Sequence, residues 1–202
     1  EAVRQTLAGT IMAALACLFL AALPLFAQQS DIPKTFTVPT ANYDYERREV
    51  KIPMRDGVRL YTVIVIPKGA SHAPIVLTRT PYNAAGRTSR SDSTRMLGVL
   101  AQGDEVFVND GYIRVIQDVR GKYGSEGEYV MTRPLIGPLN TSTVDHSTDA
   151  WDTIEWLTKH VPESNGRVGM LGQSYYAQFT AQLQGKTGAE VGSSPNAREG
   201  IQ

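Results

Sequence analysis

Ser174 stands in the stretch RVGMLGQSY, residues 167–175. A hydroxyl is a poor nucleophile until a base takes its proton and donors stabilise the oxyanion that forms. A short apolar strand, a glycine, a serine and a following helix supply one arrangement for this. The sharp strand-to-helix turn exposes the serine oxygen, and the next backbone N–H helps hold the oxyanion. Gly172 permits the tight turn. Ser174 is the candidate nucleophile and the Tyr175 backbone N–H a candidate oxyanion donor. Tyr176 stands two places after the serine, so the commonest G-x-S-x-G spacing is not met. On the motif alone, a glycine turn followed by a helix-capping serine fits as well.

Other residues could join this chemistry. Tyr82, in TRTPYN, follows an apolar strand. It is either a ring packed beside Pro81 or a phenol that donates to an oxyanion. The three histidines, His72, His146 and His160, show no metal-ligand spacing, and neither His nor Asp occurs after Ser174. Asp149, Asp152 and Glu155 recur every third residue on one helix. They could suggest a cation site, but the expectation is a solvated face with acids at the positive helix end. Asn140-Thr141-Ser142 is a formal glycosylation sequon of a kind common by chance. Cys17 is the single cysteine.

The elements that must position these groups alternate between strand and helix. Glu49–Pro53 and Val58–Ile66 flank Arg55-Asp56-Gly57, a strong hairpin signal. Pro74–Thr80 reads as a strand, with a helix expected over Met96–Gln102. Tyr112–Asp118 is a further strand, followed by the glycine-rich RGKYGSEG. A helix is expected from Ser147, capped by Ser147 or Thr148, with Ala150, Ile154, Leu157 and both tryptophans on its apolar face. Asn165-Gly166 breaks the chain before a short strand at Arg167–Leu171, and a helix is expected from Tyr175. The expected fold class is α/β: an incomplete, mostly parallel sheet with flanking helices. Residues 47–184 would form this partial domain, after an arm at 28–46 and before a linker-like segment at 185–202.

Lys plus Arg and Asp plus Glu are 20 each, so charge gives no reason to expect nucleic acid or an anionic membrane surface. Residues 1–27 differ in kind. Arg4 precedes an apolar run from Ile11 to Phe26, and Ala27 is followed by polar residues. This reads as a secretory signal with cleavage after Ala27, hence a periplasmic or secreted protein. The alternative is a membrane anchor, but the run is short of the ~20 residues a span needs. Cleavage would leave the mature chain without cysteine and so without disulfides.

Four blocks together resemble the X-Pro dipeptidyl-peptidase-like (S15) superfamily of serine hydrolases, which has the α/β-hydrolase fold. They are VKIPMRDGVRL, LTRTPYN, QDVRGKYGSEGEY, and DAWDTIEWL with NGRVGMLGQSY. Within the superfamily they are most similar to the α-amino acid ester hydrolases, which include β-lactam antibiotic acylases. The resemblance implies Ser174 as nucleophile and Tyr82 as the second oxyanion donor. It also implies that Asp118, Arg120, Gly121, Ser125 and Gly127 are structural, with an Asp–Arg pair shaping a loop near the site. Ala177 stands where the family has glycine. The implied substrate is a small amino acid ester or amide, with acyl transfer through a serine ester and with no metal or organic cofactor. A homo-oligomer is implied for the full-length family member. X-Pro dipeptidyl peptidase, carboxylesterase and cephalosporin acylase activities stay open. The family's catalytic Asp and His would fall beyond residue 202. The 202-residue polypeptide is therefore expected to be inactive, with a non-catalytic remnant as the alternative reading.

Overall fold

A computed structural model of the chain describes residues 42–172. The expected signal peptide, residues 28–41 of the arm, Ser174, Tyr175, the helix expected from Tyr175 and the segment 185–202 lie outside the described residues.

Strands β1 (Tyr45–Pro53) and β2 (Arg59–Pro67) form an antiparallel hairpin in the register Pro53↔Arg59 to Tyr45↔Pro67. Its turn closes through Met54 N–H donating to Val58 O at 2.8 Å and Gly57 N–H to Met54 O at 2.9 Å. Gly57 has φ +85°, which explains why Asp-Gly marks this turn. β1 begins two residues inside the segment read as an arm.

β3 (Ala73–Thr80) and β4 (Ile113–Asp118) pair in parallel, β2 and β4 antiparallel, and β3 and β5 (Ser164–Met170) parallel. The order is β1-β2-β4-β3-β5. The sheet is thus antiparallel on its β1 side and parallel from β4 to β5. Val63, Ile64, Val65 and Ile66 of β2 are all buried, as a strand covered on both faces requires.

The helices divide between the faces. Short helices α1 (Ala84–Arg87), α2 (Met96–Val99) and α3 (Glu105–Asn109) connect β3 to β4. Ala84, Met96, Val99 and Val108 pack with Val63, Val65 and Ile116 on one face. The helix expected over Met96–Gln102 is split, with a 3₁₀ turn at Gln102–Asp104 after α2. On the other face α4 (His146–His160) buries Leu157 against Ile64, Ile66, Ile75, Leu77, Ile113 and Val115. Trp151 does not share that face: it is 52% exposed, while Trp156 packs against the core. β5 runs through Asn165-Gly166, where a break was expected. Gly166 at φ +79° coincides with a register shift between Ala73 and Ile75 of β3.

Candidate active site

Parallel α/β sheets bind ligands beyond the carboxyl ends of their strands, because the loops there diverge to opposite faces. Here β3, β4 and β5 end at that edge side by side. Thr80 pairs with Asp118 of β4, and Leu77 pairs with Met170 of β5. Leu171 N–H extends the β5 ladder by donating to Leu77 O at 2.9 Å. Gly172 follows directly, the last described residue before Gln173 and Ser174.

Tyr82 lies two residues past the end of β3, with its side chain 50% exposed. Its backbone is fixed on both sides. Tyr82 N–H donates to Thr80 Oγ1 at 3.1 Å. Asn83 takes a left-handed φ of 62°, and its side chain accepts from Gly86 N–H at 3.1 Å, capping α1. A non-glycine residue at positive φ carries a strain cost, offset here by the cap.

Asp118, at the end of β4, binds this turn to the loop behind it. Its fully buried carboxylate accepts from Ala84 N–H at 2.7 Å and from Gly124 N–H at 3.3 Å. Burial pushes the Asp118 carboxyl above its ordinary pKa, against the pull of these two N–H groups. Ser125 Oγ donates to Asp118 O at 2.7 Å and accepts from Tyr61 N–H at 2.8 Å, tying the loop to β2. Between the Tyr82 turn and this loop lies a cavity of about 260 Å³ lined by Pro81, Tyr82, Lys122, Tyr129 and Met131.

The amino end of α4 reaches the same edge and is held by buried charge. Arg120 donates to Asp149 at 2.6 and 3.1 Å and to Asp56 at 2.7 and 3.2 Å. Arg79 of β3 donates to His146 O at 2.6 Å and to Gln117 at 2.8 Å, and its other terminal nitrogen lies 3.5 Å from Asp149. Asp149 and Asp56 hold the Arg120 guanidinium above its ordinary pKa despite burial.

The comparisons with known proteins bear on this edge. Residues 56–190 match the family model of X-Pro dipeptidyl-peptidase (S15 family). The chain belongs to the S15 family. It is 37% identical over 145 residues to the cocaine esterase of Rhodococcus sp. (strain MB1 Bresler), covering 70% of this chain and 22% of that protein. Among solved structures it is similar to an α-amino acid ester hydrolase labelled with selenomethionine, at 63% identity and a TM-score of 0.66. That match covers 77% of this chain and 25% of the other. It is also similar to an aminopeptidase from a marine sediment archaeon, Thaumarchaeota archaeon, at 55% identity and a TM-score of 0.67, covering 78% and 26%. The chain spans about a quarter of the length of these relatives. The described sheet is the N-terminal part of an α/β-hydrolase fold.

Three expectations from the sequence are corrected. Asp118 and Arg120 do not pair with each other: Asp118 holds backbone N–H groups, and Arg120 turns to Asp56 and Asp149. The acids on α4 do not form one solvated face. Asp149 is buried against Arg120, Asp152 is mostly covered beneath Arg55, and only Glu155, paired with Lys159, stays exposed. The cap of α4 is Asp145 rather than Ser147 or Thr148. Its carboxylate accepts from Thr148 N–H at 2.8 Å while Thr148 Oγ1 accepts from Asp145 N–H at 2.8 Å. The Asn140 amide of the sequon is occupied, donating to Pro134 O at 2.8 Å and Val144 O at 3.0 Å.

The histidines divide along the sheet. His72 precedes β3 and His160 ends α4, both at the opposite edge from Tyr82. His146 is at the Tyr82 edge, but its imidazole is buried and its Nε2 donates to Val130 O at 3.3 Å. Burial, aided by Arg79, lowers the His146 pKa to about 4. Sequence reasoning assigned no role to Lys122, Tyr129 and Met131. Their available signal was a cation and an aromatic ring within a glycine-rich loop after a strand's carboxyl end.

Proposed function

We propose that this chain carries the nucleophile and oxyanion-hole part of a serine hydrolase acting on α-amino acid esters and amides. Ser174 attacks the acyl carbon, the carbonyl oxygen becomes an oxyanion, and Tyr82 Oη and the Tyr175 backbone N–H donate to it. Collapse expels the alcohol or amine and leaves an acyl-serine. Water or another amine then takes the acyl group, and β-lactam side chains are within this substrate class. The observation that carries the reading is the position of Tyr82. The parallel pairing of β3 with β5 brings its turn to the edge at which β5 ends, and Gly172, two positions before Ser174 in sequence, follows there. The α-amino acyl preference rests on the similarity to two solved structures, an α-amino acid ester hydrolase and an aminopeptidase. Export, from residues 1–27, is part of the same proposal.

A proton acceptor for Ser174 is required. His146 does not suit the role, because it is buried and engaged with Val130 O, and His72 and His160 lie at the far edge. The test is labelling with a serine-reactive fluorophosphonate, mapped by mass spectrometry. Labelling at Ser174 that disappears in Ser174→Ala supports the reading. A folded protein that takes no label even with imidazole supplied as an external proton acceptor favours the alternative, a non-catalytic remnant.

A further inference from the structure

The cavity beside Tyr82 contains one feature that acyl transfer as described does not use, the Lys122 ammonium. Its backbone is locked by a tight turn. Lys122 N–H donates to Val119 O at 3.1 Å, and Lys122 O accepts from Ser125 N–H at 2.9 Å. The preceding Gly121 has φ +71°, and a Cβ there would overlap the Tyr129 backbone, so loop and residue 129 are in close contact. The ammonium sits 4.2 Å from the centroid of the Tyr129 ring. A ring face holds a cation in place without neutralising it.

Among the described residues no carboxylate pairs with it either, and none of the ion pairs includes Lys122. Glu126, four residues on, accepts from Arg59 N–H and from Lys51 instead. The cavity therefore combines aromatic and thioether walls with one positioned positive charge.

We propose that Lys122 forms an anion subsite in this cavity, which takes a carboxylate carried by the ester or amide substrate. The proposal rests on the reading of Tyr82 as a substrate-facing residue and adds the substrate's charge. An ammonium on the substrate is disfavoured at this end by like-charge repulsion, so a zwitterionic substrate is oriented with its anion toward Lys122.

The test reads binding rather than turnover. Lysines are reductively dimethylated with ¹³C, which keeps their charge, and the Lys122 resonance is assigned by its loss in Lys122→Gln. The protein is titrated with phenylacetate and, separately, with uncharged phenylacetamide. A saturable shift of the Lys122 signal with phenylacetate is expected. Its apparent Kd should be about tenfold tighter than that of phenylacetamide, the scale of one hydrogen bond to a charged group. It should weaken severalfold in 0.5 M salt, because a half-open site is screened. Equal shifts with both compounds, or no shift with phenylacetate, would overturn it. Fluorophosphonate labelling of the same sample, with imidazole supplied as external proton acceptor, separates the two proposals. Labelled Ser174 with an unresponsive Lys122 removes the anion subsite alone. A responsive Lys122 with unlabelled Ser174 removes the hydrolase reading alone.

Discussion

Ala84 donates its backbone N–H to the Asp118 carboxylate at 2.7 Å, two residues beyond Tyr82. The second oxygen of the same carboxylate takes Gly124 N–H from the loop carrying Lys122. One buried side chain thus fixes the spacing between two walls of the cavity. Asp118→Ala leaves both N–H groups without their acceptor, at a cost of about 1–3 kcal/mol for an unsatisfied buried donor. Chemical denaturation should show this loss, with hydrogen exchange at Ala84 and Gly124 accelerated. Unchanged exchange at both amides would contradict the role given to Asp118.

Asp149 and Asp152 share one helix but differ in what their loss leaves behind. Asp149 faces Arg120 and Arg79, all three buried. Asp152 faces Arg55, whose side chain is 43% exposed. Breaking a buried pair strands an uncompensated charge, at about 3–5 kcal/mol. Removing one member of a half-exposed pair costs about 1 kcal/mol or less. Urea midpoints of Asp149→Ala and Asp152→Ala should therefore differ widely, and equal midpoints would contradict the network.

His146 makes stability depend on pH. Its pKa is about 4 when folded, lowered from 6.5 by burial and by Arg79. Between these values the unfolded chain binds the proton and the folded one does not. Stability therefore falls as pH drops from about 6.5 toward 4, by roughly 3 kcal/mol if His146 acts alone. Asp118, raised by burial, works in the opposite sense, losing stability as pH rises through its folded pKa. His146→Gln should flatten the decline between pH 6.5 and 4.5 in denaturation curves. A decline of undiminished slope in the variant would place its origin elsewhere.

Two glycines at positive φ should respond differently to alanine. Gly166 at φ +79° has open space around it, so Gly166→Ala costs only the left-handed strain, about 1–2 kcal/mol. Gly121 at φ +71° adds an overlap with the Tyr129 backbone. Gly121→Ala should displace the Lys122 loop and give the larger loss of thermal stability. Equal losses would mean that this close approach is not tightly held.

The strands and the hairpin were legible because their signals are local: alternation, Asp-Gly, and an apolar run ending at Pro81. Tyr82 and Gly172 were singled out for a similar reason, since each stands where a strand meets a loop. Charge pairing was not legible. Asp149 reads as a solvated helix acid until β3 and β4 bring Arg79 and Arg120 beneath it, and those partners lie 70 and 29 residues away in sequence. Asp145 is not legible as a cap because it lies at the end of a Pro- and Thr-rich loop, with Ser147 and Thr148 offering equally good local candidates. Lys122 is not legible either, because a lysine in a glycine-rich loop usually points to solvent. Only the position of Tyr129 shows otherwise.

The most direct measurement is the rate of fluorophosphonate labelling at Ser174, with imidazole supplied as external proton acceptor, in Tyr82→Phe beside the unaltered protein. Only the phenol oxygen is removed, so folding should be unchanged by circular dichroism and thermal melting. Loss of one oxyanion donor lowers the rate about 10²–10³-fold. A rate in Tyr82→Phe equal to that of the unaltered protein would contradict the placement of Tyr82 in the oxyanion hole, and with it the site proposed at this edge of the sheet.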